Sequence, residues 1–384
     1  MDVNRSRRCG IRAWRRGCSI DASFGAFSVR NGSSVTISFS NSCLAFVFWI
    51  GIGATGLAAL LALTIIYLRV SLERSSRDEQ AFLSIWRPLL LSSLHSSVPA
   101  MLPTLDIGHR LYFLKLWNSL MRTASGEAAD NLTGIAYAIG CDQFSRRFLR
   151  LGNRVECLLA TLTLAHLRDH TAWDLLITQT LSADSVTSIN AFHALVQIDA
   201  ESTAQQLTPL LLARNDWAIA QVAAIMQSAQ GAFMFPLIEA TMETKSVHLI
   251  RTLRLIEALH LALPQAAVLR LFEHASSTEA LIGTLRITDD VSLLPHIRQY
   301  LRHDDWRVRV QAAKLLGRIG EHSDVNRLIP LLADVEWWVR YRTAQALAGM
   351  PFFSATELEL LRNNLSDRFA RDMLGQVLAE RTAS

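Results

Sequence analysis

The sequence is poor in lysine, in cysteine and in charge overall. Of its 384 residues only three are Lys (Lys115, Lys245 and Lys314), against 35 Arg. A functional need for guanidinium forks would not empty a whole chain of lysine, so the bias is read as genomic composition. The five Cys stand at 9, 18, 43, 141 and 157, odd in number and with no C-x-x-C pair. That argues against a disulfide framework and a zinc cluster and leaves reduced thiols. Charged residues make up 19% and hydrophobic ones 50%, which excludes a disordered chain. There is no G-x-S-x-G and no glycine-rich phosphate loop ending in Lys-Ser/Thr. No cofactor is implied.

The net charge of +4 hides two unlike parts. Residues 1–77 carry ten Arg and three acids, whereas residues 78–384 carry 28 basic and 31 acidic side chains. The whole stretch from Cys43 to Leu68 is without a charge. At 1.5 Å per residue, about 20 residues cross the hydrocarbon core of a bilayer, and this run is longer. Trp49, Tyr67 and Arg69 sit where interfacial residues belong. The sequence therefore predicts one transmembrane helix at 43–68, an Arg/Ser-rich disordered tail at 1–42, a juxtamembrane helical region at 69–150 and a larger domain at 151–384. Gly51, Gly53 and Gly56 match G-x-G-x-x-G, but they lie inside the apolar run and position 76 is Ser rather than an acid. Gly51, Thr55 and Ala59, at i, i+4 and i+8, read better as a small-residue stripe for packing between membrane helices. Arg69, Arg74, Arg77 and Arg87 follow the run, and only Arg30 closely precedes it. This count places the large domain in the cytoplasm. The more distant Arg5, Arg7, Arg8, Arg12, Arg15 and Arg16 argue the other way.

The C-terminal part repeats itself. Trp306-Arg-Val308-Arg309, Ala312-Ala313 and Leu315-Leu316 recur as Trp337-Trp-Val339-Arg340, Thr343-Ala344 and Ala346-Leu347. Ile297, Tyr300 and Leu301 recur at the same offset as Leu328, Leu331 and Leu332, and Val155 as Val186. Asp216-Trp217 with Ala223-Ala224 resembles Asp305-Trp306 with Ala312-Ala313. Self-similarity at a period of about 31 means stacked helix pairs. Within one unit, Asp304 or Asp305 caps a helix whose apolar face is Val308, Ala312, Leu315, Leu316 and Ile319. Gly320 follows where a positive φ is often needed. Ser323 caps a second helix that buries Val325, Leu328, Ile329 and Leu332. The fold class is all-α: a transmembrane helix, then an α-solenoid.

The stretch Asp304–Gly320, with Asp, Val-Arg, Ala-Ala and a Leu-Gly-x-Ile-Gly ending, resembles the HEAT-repeat family in its short, phycocyanobilin-lyase-like form. The resemblance is specific at 304–350, fainter at 153–230 and weak at 78–150 and 231–290. It implies a scaffold that binds proteins. It also raises three enzyme classes. Deoxyhypusine hydroxylases use His-Glu dipeptides, and this chain has only the reversed Glu273-His274 and Glu321-His322. For bilin lyases, nothing beyond the repeat points to a bilin. Alkyl-DNA glycosylases need a basic face, and residues 78–384 are net acidic, which also opposes nucleic-acid binding in general.

Two sets of residues remain. Trp306, Arg307, Trp337, Trp338 and Arg342 fall at matching repeat positions and are candidates for a protein-contact surface, since Trp and Arg dominate interface hot spots. The competing expectation is structural: Trp306 and Trp337 pack across the repeat junction, and Arg309 and Arg340 pair with Asp305, Asp334 or Glu336 in an inter-repeat ladder. His166 and His170, four apart with Asp169 between, and His193 are the candidates for a ligand- or metal-binding groove, although capping or surface histidines fit better. The layout as a whole resembles bacterial single-pass HEAT proteins that work beside membrane glycosyltransferases. It implies a non-enzymatic, membrane-anchored scaffold with a protein partner, that transferase among the options.

Overall fold

The computed structural model describes residues 41–94, 101–242, 248–275 and 277–383. Most of the expected tail at 1–42 lies outside them. By its contacts the chain divides into two units, Met1–Arg74 and Ser75–Ser384. No strand occurs among the described residues, and the all-α expectation holds.

The first unit is described from the start of helix α1, Asn41–Ser92. Among the described residues this is the one helix long and apolar enough to cross a membrane. Its apolar side chains Leu57, Leu60, Leu63 and Ile66 are all exposed. The Thr55 hydroxyl donates to Gly51 O at 2.9 Å, so its polar group is satisfied within the helix.

The second unit begins within α1 and continues through α2 (Arg110–Met121), α3 (Glu127–Ala138), α4 (Cys141–Leu151), α5 (Arg154–His166), α6 (Trp173–Thr180) and α7 (Ser185–Ile198). There follow α8 (Ala200–Ala213), α9 (Ile219–Gln227), α10 (Gln230–Met242), α11 (Leu249–Leu259), α12 (Gln265–His274) and α13 (Thr278–Ile287). The chain ends with α14 (Leu294–Arg298), α15 (Trp306–Ile319), α16 (Val325–Leu328), α17 (Trp337–Gly349), α18 (Ala355–Asn364) and α19 (Arg368–Ala383). Phe82, Trp86 and Leu90, at helical spacing, are buried with Phe113, Trp117, Leu132 and Ile135 in a first core. From α5 onward every second helix packs on the next, in the order α5, α7, α9, α11, α13, α15, α17, α19. The intervening helices pack beside them, α4 on α5, α6 on α7, α12 on α13 and α18 on α19. No pair can cover its own apolar faces, and stacking buries them in two further continuous cores. Full burial of a side chain such as Leu316 or Leu347 contributes about 1.5–3 kcal/mol.

Local chemistry sets the helix starts. Asn153 and Glu156 form a reciprocal cap on α5, and Ser354 and Glu357 do so on α18. Asp184, Asp199 and Asp305 accept from the first-turn N–H groups of α7, α8 and α15. Three expectations need correction. Gly320 has φ −69°, so glycine is not there for a positive φ. A Cβ at that position would lie 2.3 Å from Leu316 O, so space excludes a side chain. Ser323 does not cap the next helix: it lies inside the turn His322–Asp324, which Glu321 starts and which Asp324 closes by accepting the Glu321 N–H at 3.0 Å. Trp217 is not the counterpart of Trp306, because it precedes α9 and is buried, with its indole N–H donating to Ser188 Oγ at 3.0 Å.

Candidate functional site

The helices α15 and α17 present matching exposed stripes. On α15 the outward residues are Arg307, Gln311, Lys314 and Arg318, and on α17 they are Trp338, Arg342, Gln345 and Gly349, each one repeat further on. Val335, in the turn before α17, is 89% exposed, and Trp337 and Trp338 are 41% and 48% exposed. The Trp337 ring stacks on Tyr341 at 5.0 Å and meets Trp338 edge-on at 4.8 Å. Aromatic packing of Trp337 thus lies within α17 rather than across a repeat junction. Trp306 is 36% exposed on α15. The Arg342 guanidinium lies 5.8 Å from the Tyr341 ring centre and bonds Gln345 Oε1 at 2.8 Å.

The arginines one turn inward are spent on structure. Arg309 grips Asp334 with two bonds of 2.8 Å and donates to the His303 and Asp304 carbonyls. Arg340 repeats only the second half of this, donating to the Asp334 and Val335 carbonyls at 2.7 and 3.1 Å. The position matching Asp334 in the next repeat is Leu365, and the buried Arg340 Nε has no hydrogen-bond partner among the described residues. Asp305 faces Arg307 at 2.7 Å rather than Arg309, and Arg307 also reaches Glu279 on α13 at 3.1 Å. A further copy was legible but missed. Stepping one repeat on from Glu336 and Arg340 lands on Asp367, which caps α19, and on Arg371, which donates to Leu365 O. Also unread from sequence was the Arg298 fork on the fully buried Asp324, at 2.6 and 3.0 Å. Burial pushes the Asp324 carboxyl up, but Arg298, the Glu321 N–H and Arg327 together hold it below the usual range.

The histidine candidates do not share a helix face. The helix α5 ends at His166, Arg168 takes a left-handed φ of 49°, and His170 starts a separate turn. The residue between them, Asp169, is committed to Arg146 and to the Thr171 N–H. His166 packs edge-on against Trp117 at 6.1 Å, and His193 contacts Gln197 at 3.0 Å. Burial lowers both pKa values, and His193 lowers that of His166 further. Among the described residues no group of three His, Cys, Asp or Glu could hold a metal. Burial pushes the Cys141 thiol up to about 12, which leaves it unreactive. In the first unit, Gly51, Thr55 and Ala59 stand on one side of α1, all exposed.

A family model described as HEAT repeats matches residues 266–348, which runs from α12 into α17 and includes both exposed stripes except Gly349. No curated protein matches the chain. The match and the stacked helix pairs together support a HEAT-repeat family and indicate a fold of the protein-interaction type.

Proposed function

We propose that this protein is a non-enzymatic, membrane-anchored scaffold whose solenoid binds a protein partner through Trp306, Arg307, Trp337, Trp338 and Arg342. The observation that carries the reading is the cluster of large apolar side chains left open at the start of α17: Val335, Trp337 and Trp338. Leaving two tryptophans about half open forgoes their burial, and exposed Trp beside Arg is the composition of an interface hot spot. The apolar, fully exposed stretch of α1 supports the anchor, and Arg69, Arg74 and Arg77 after it support a cytoplasmic solenoid. The constant offset between the Trp306 and Trp337 units supports the short, phycocyanobilin-lyase-like form of the repeat. A membrane glycosyltransferase as the partner rests on the resemblance of layout alone.

The test is capture of partners from detergent-solubilised membranes with the full chain and its Trp338→Ala variant. A stoichiometric partner that is lost in the variant at unchanged melting temperature is the expected result. Unchanged capture, or a large drop in stability on substitution, refutes the contact surface. A reporter fused to the C-terminus tests the topology separately.

A further inference from the structure

We infer that the outward surface of α15 and α17, with the neighbouring ends of α11 and α13, is a groove that takes an extended acidic segment of the protein partner. A groove of about 250 Å³ lies between α15 and α17, rimmed by Lys314, Arg318 and Arg342 and floored by Gly317 and Ala346. It has three cations and no acid in its lining, within a region, 78–384, that carries more acids than bases.

Several neighbouring arginines are paired with acids. Arg298, Arg307 and Arg309 hold carboxylates at 2.6, 2.7 and 2.8 Å, and Arg286 lies 3.6 Å from Glu257. Among the described residues the groove cations hold none. Arg318 donates to the Thr288 carbonyl, Arg342 to the Gln345 amide, and Lys314 is exposed, with no hydrogen bond or ion pair among the described residues. Like charges gathered without counter-charge repel, and an anionic occupant turns that cost into attraction.

The shape favours a chain over a small anion. A second groove of about 310 Å³ shares Lys314 and Arg318 and continues over α13 to α11, with Leu285, Ile287 and Leu315 in its lining. Its two acids are Glu257, already beside Arg286, and Asp289. Four helices at about 9 Å spacing span about 27 Å, the length of about eight extended residues. Alternate residues of such a strand can meet cations and apolar floor. The floor is shallow because α15 and α17 touch: a Cβ on Gly317 would lie 2.6 Å from that of Ala346. Trp338 stands one turn before Arg342 on the same stripe of α17, beside the groove and outside its lining.

This inference rests on the protein-contact reading, and the test separates the two. The full chain in neutral detergent is titrated with a short fluorescent peptide alternating Glu and Leu, and with its Gln counterpart. Expected is binding of the Glu peptide that weakens steeply with salt, at least about tenfold weaker in the Lys314→Gln/Arg318→Gln/Arg342→Gln variant. Arg318 has a structural bond, so Lys314→Glu alone, at an exposed side chain, is the variant that keeps folding out of question. It should weaken binding about threefold to fivefold, while Arg302→Glu, an exposed charge on the other row, leaves it unchanged. Equal binding of both peptides, or equal loss in Lys314→Glu and Arg302→Glu, overturns the inference. So does displacement of the Glu peptide by phosphatidylglycerol micelles at lower concentration than by unlabelled peptide, which would assign the groove to lipid. A partner lost in Trp338→Ala but retained by Lys314→Glu would leave the contact reading standing and remove the acidic segment.

Discussion

Replacing Asp334 by Ala tests whether the Arg309–Asp334 pair is the rung that locks α15 to the turn before α17. The side chains of Arg309 and Asp334 are only 12% and 11% exposed, and two bonds of 2.8 Å join them. Removing one partner of a buried pair costs about 3–5 kcal/mol because the other charge stays behind. Arg309 would keep the His303 and Asp304 carbonyls, which puts its share near the lower end. Asp334 also accepts the Glu336 N–H at 2.9 Å, a turn bond worth about 1 kcal/mol. The expected loss is therefore about 3–4 kcal/mol. At about 2 °C per kcal/mol for a unit of this size, the melting temperature falls by about 6–8 °C. Circular dichroism of the full chain in detergent measures it. Because each repeat contacts only its neighbours, hydrogen exchange should rise first in α15 and α17 and little in α5 and α7. The cycle with Arg309→Met isolates the pair: the double variant should recover about 2 kcal/mol relative to the sum of the singles. A coupling below about 0.5 kcal/mol would refute the reasoning and make Asp334 a turn residue only.

Gly317→Ala should destabilise by about 1–3 kcal/mol in a melting assay, since its Cβ would meet the Ala346 Cβ at 2.6 Å and the Ala346 Cα at 2.7 Å, and Ala346→Gly should restore little of this because the backbone contact stays. Gly231→Ala, in α10 with nothing within 4 Å, should stabilise by about 0.5 kcal/mol in the same assay. The folded state holds the Asp324 carboxyl below its unfolded value of 3.8, so its contribution is present above about pH 4 and lost as pH falls through the lower folded value. Urea midpoints between about pH 6 and pH 2.5 should show that fall, and Asp324→Asn should lower the midpoint at the upper end and flatten the slope. His166 and His193 are also held below their ordinary value of 6.5, so the unfolded chain binds more protons and stability declines as pH drops through about 6.5. A His166→Gln/His193→Gln variant should lose that first decline; an unaltered profile would show that neither ring titrates with folding.

How far the sequence was legible follows from which physical signal each feature leaves in it. The repeat was readable because Val308, Ala313 and Leu316 recur as Val339, Ala344 and Leu347, all buried: burial constrains both periodicity and size. Arg309 and Arg340 look alike in sequence, yet one has an acid and the other does not. The difference lies in Asp334 and Leu365, each on the far side of the following helix, where no local pattern reports it. Trp217 misled for a related reason. Its Asp-Trp pair matches Asp305-Trp306, but α9 begins only after Ala218. That shift moves the ring from a helix surface to the core beside Phe192 and Phe233. The paired histidines failed through backbone alone, because an i, i+4 argument assumes one helix and Arg168 ends it. The cationic groove left no motif because it is assembled from positions 314, 318 and 342 on two helices. Each cation reads singly as an ordinary solvated charge. What distinguishes them is that three cations share one groove whose lining holds no acid, a property of the packed repeat and not of any segment of the chain.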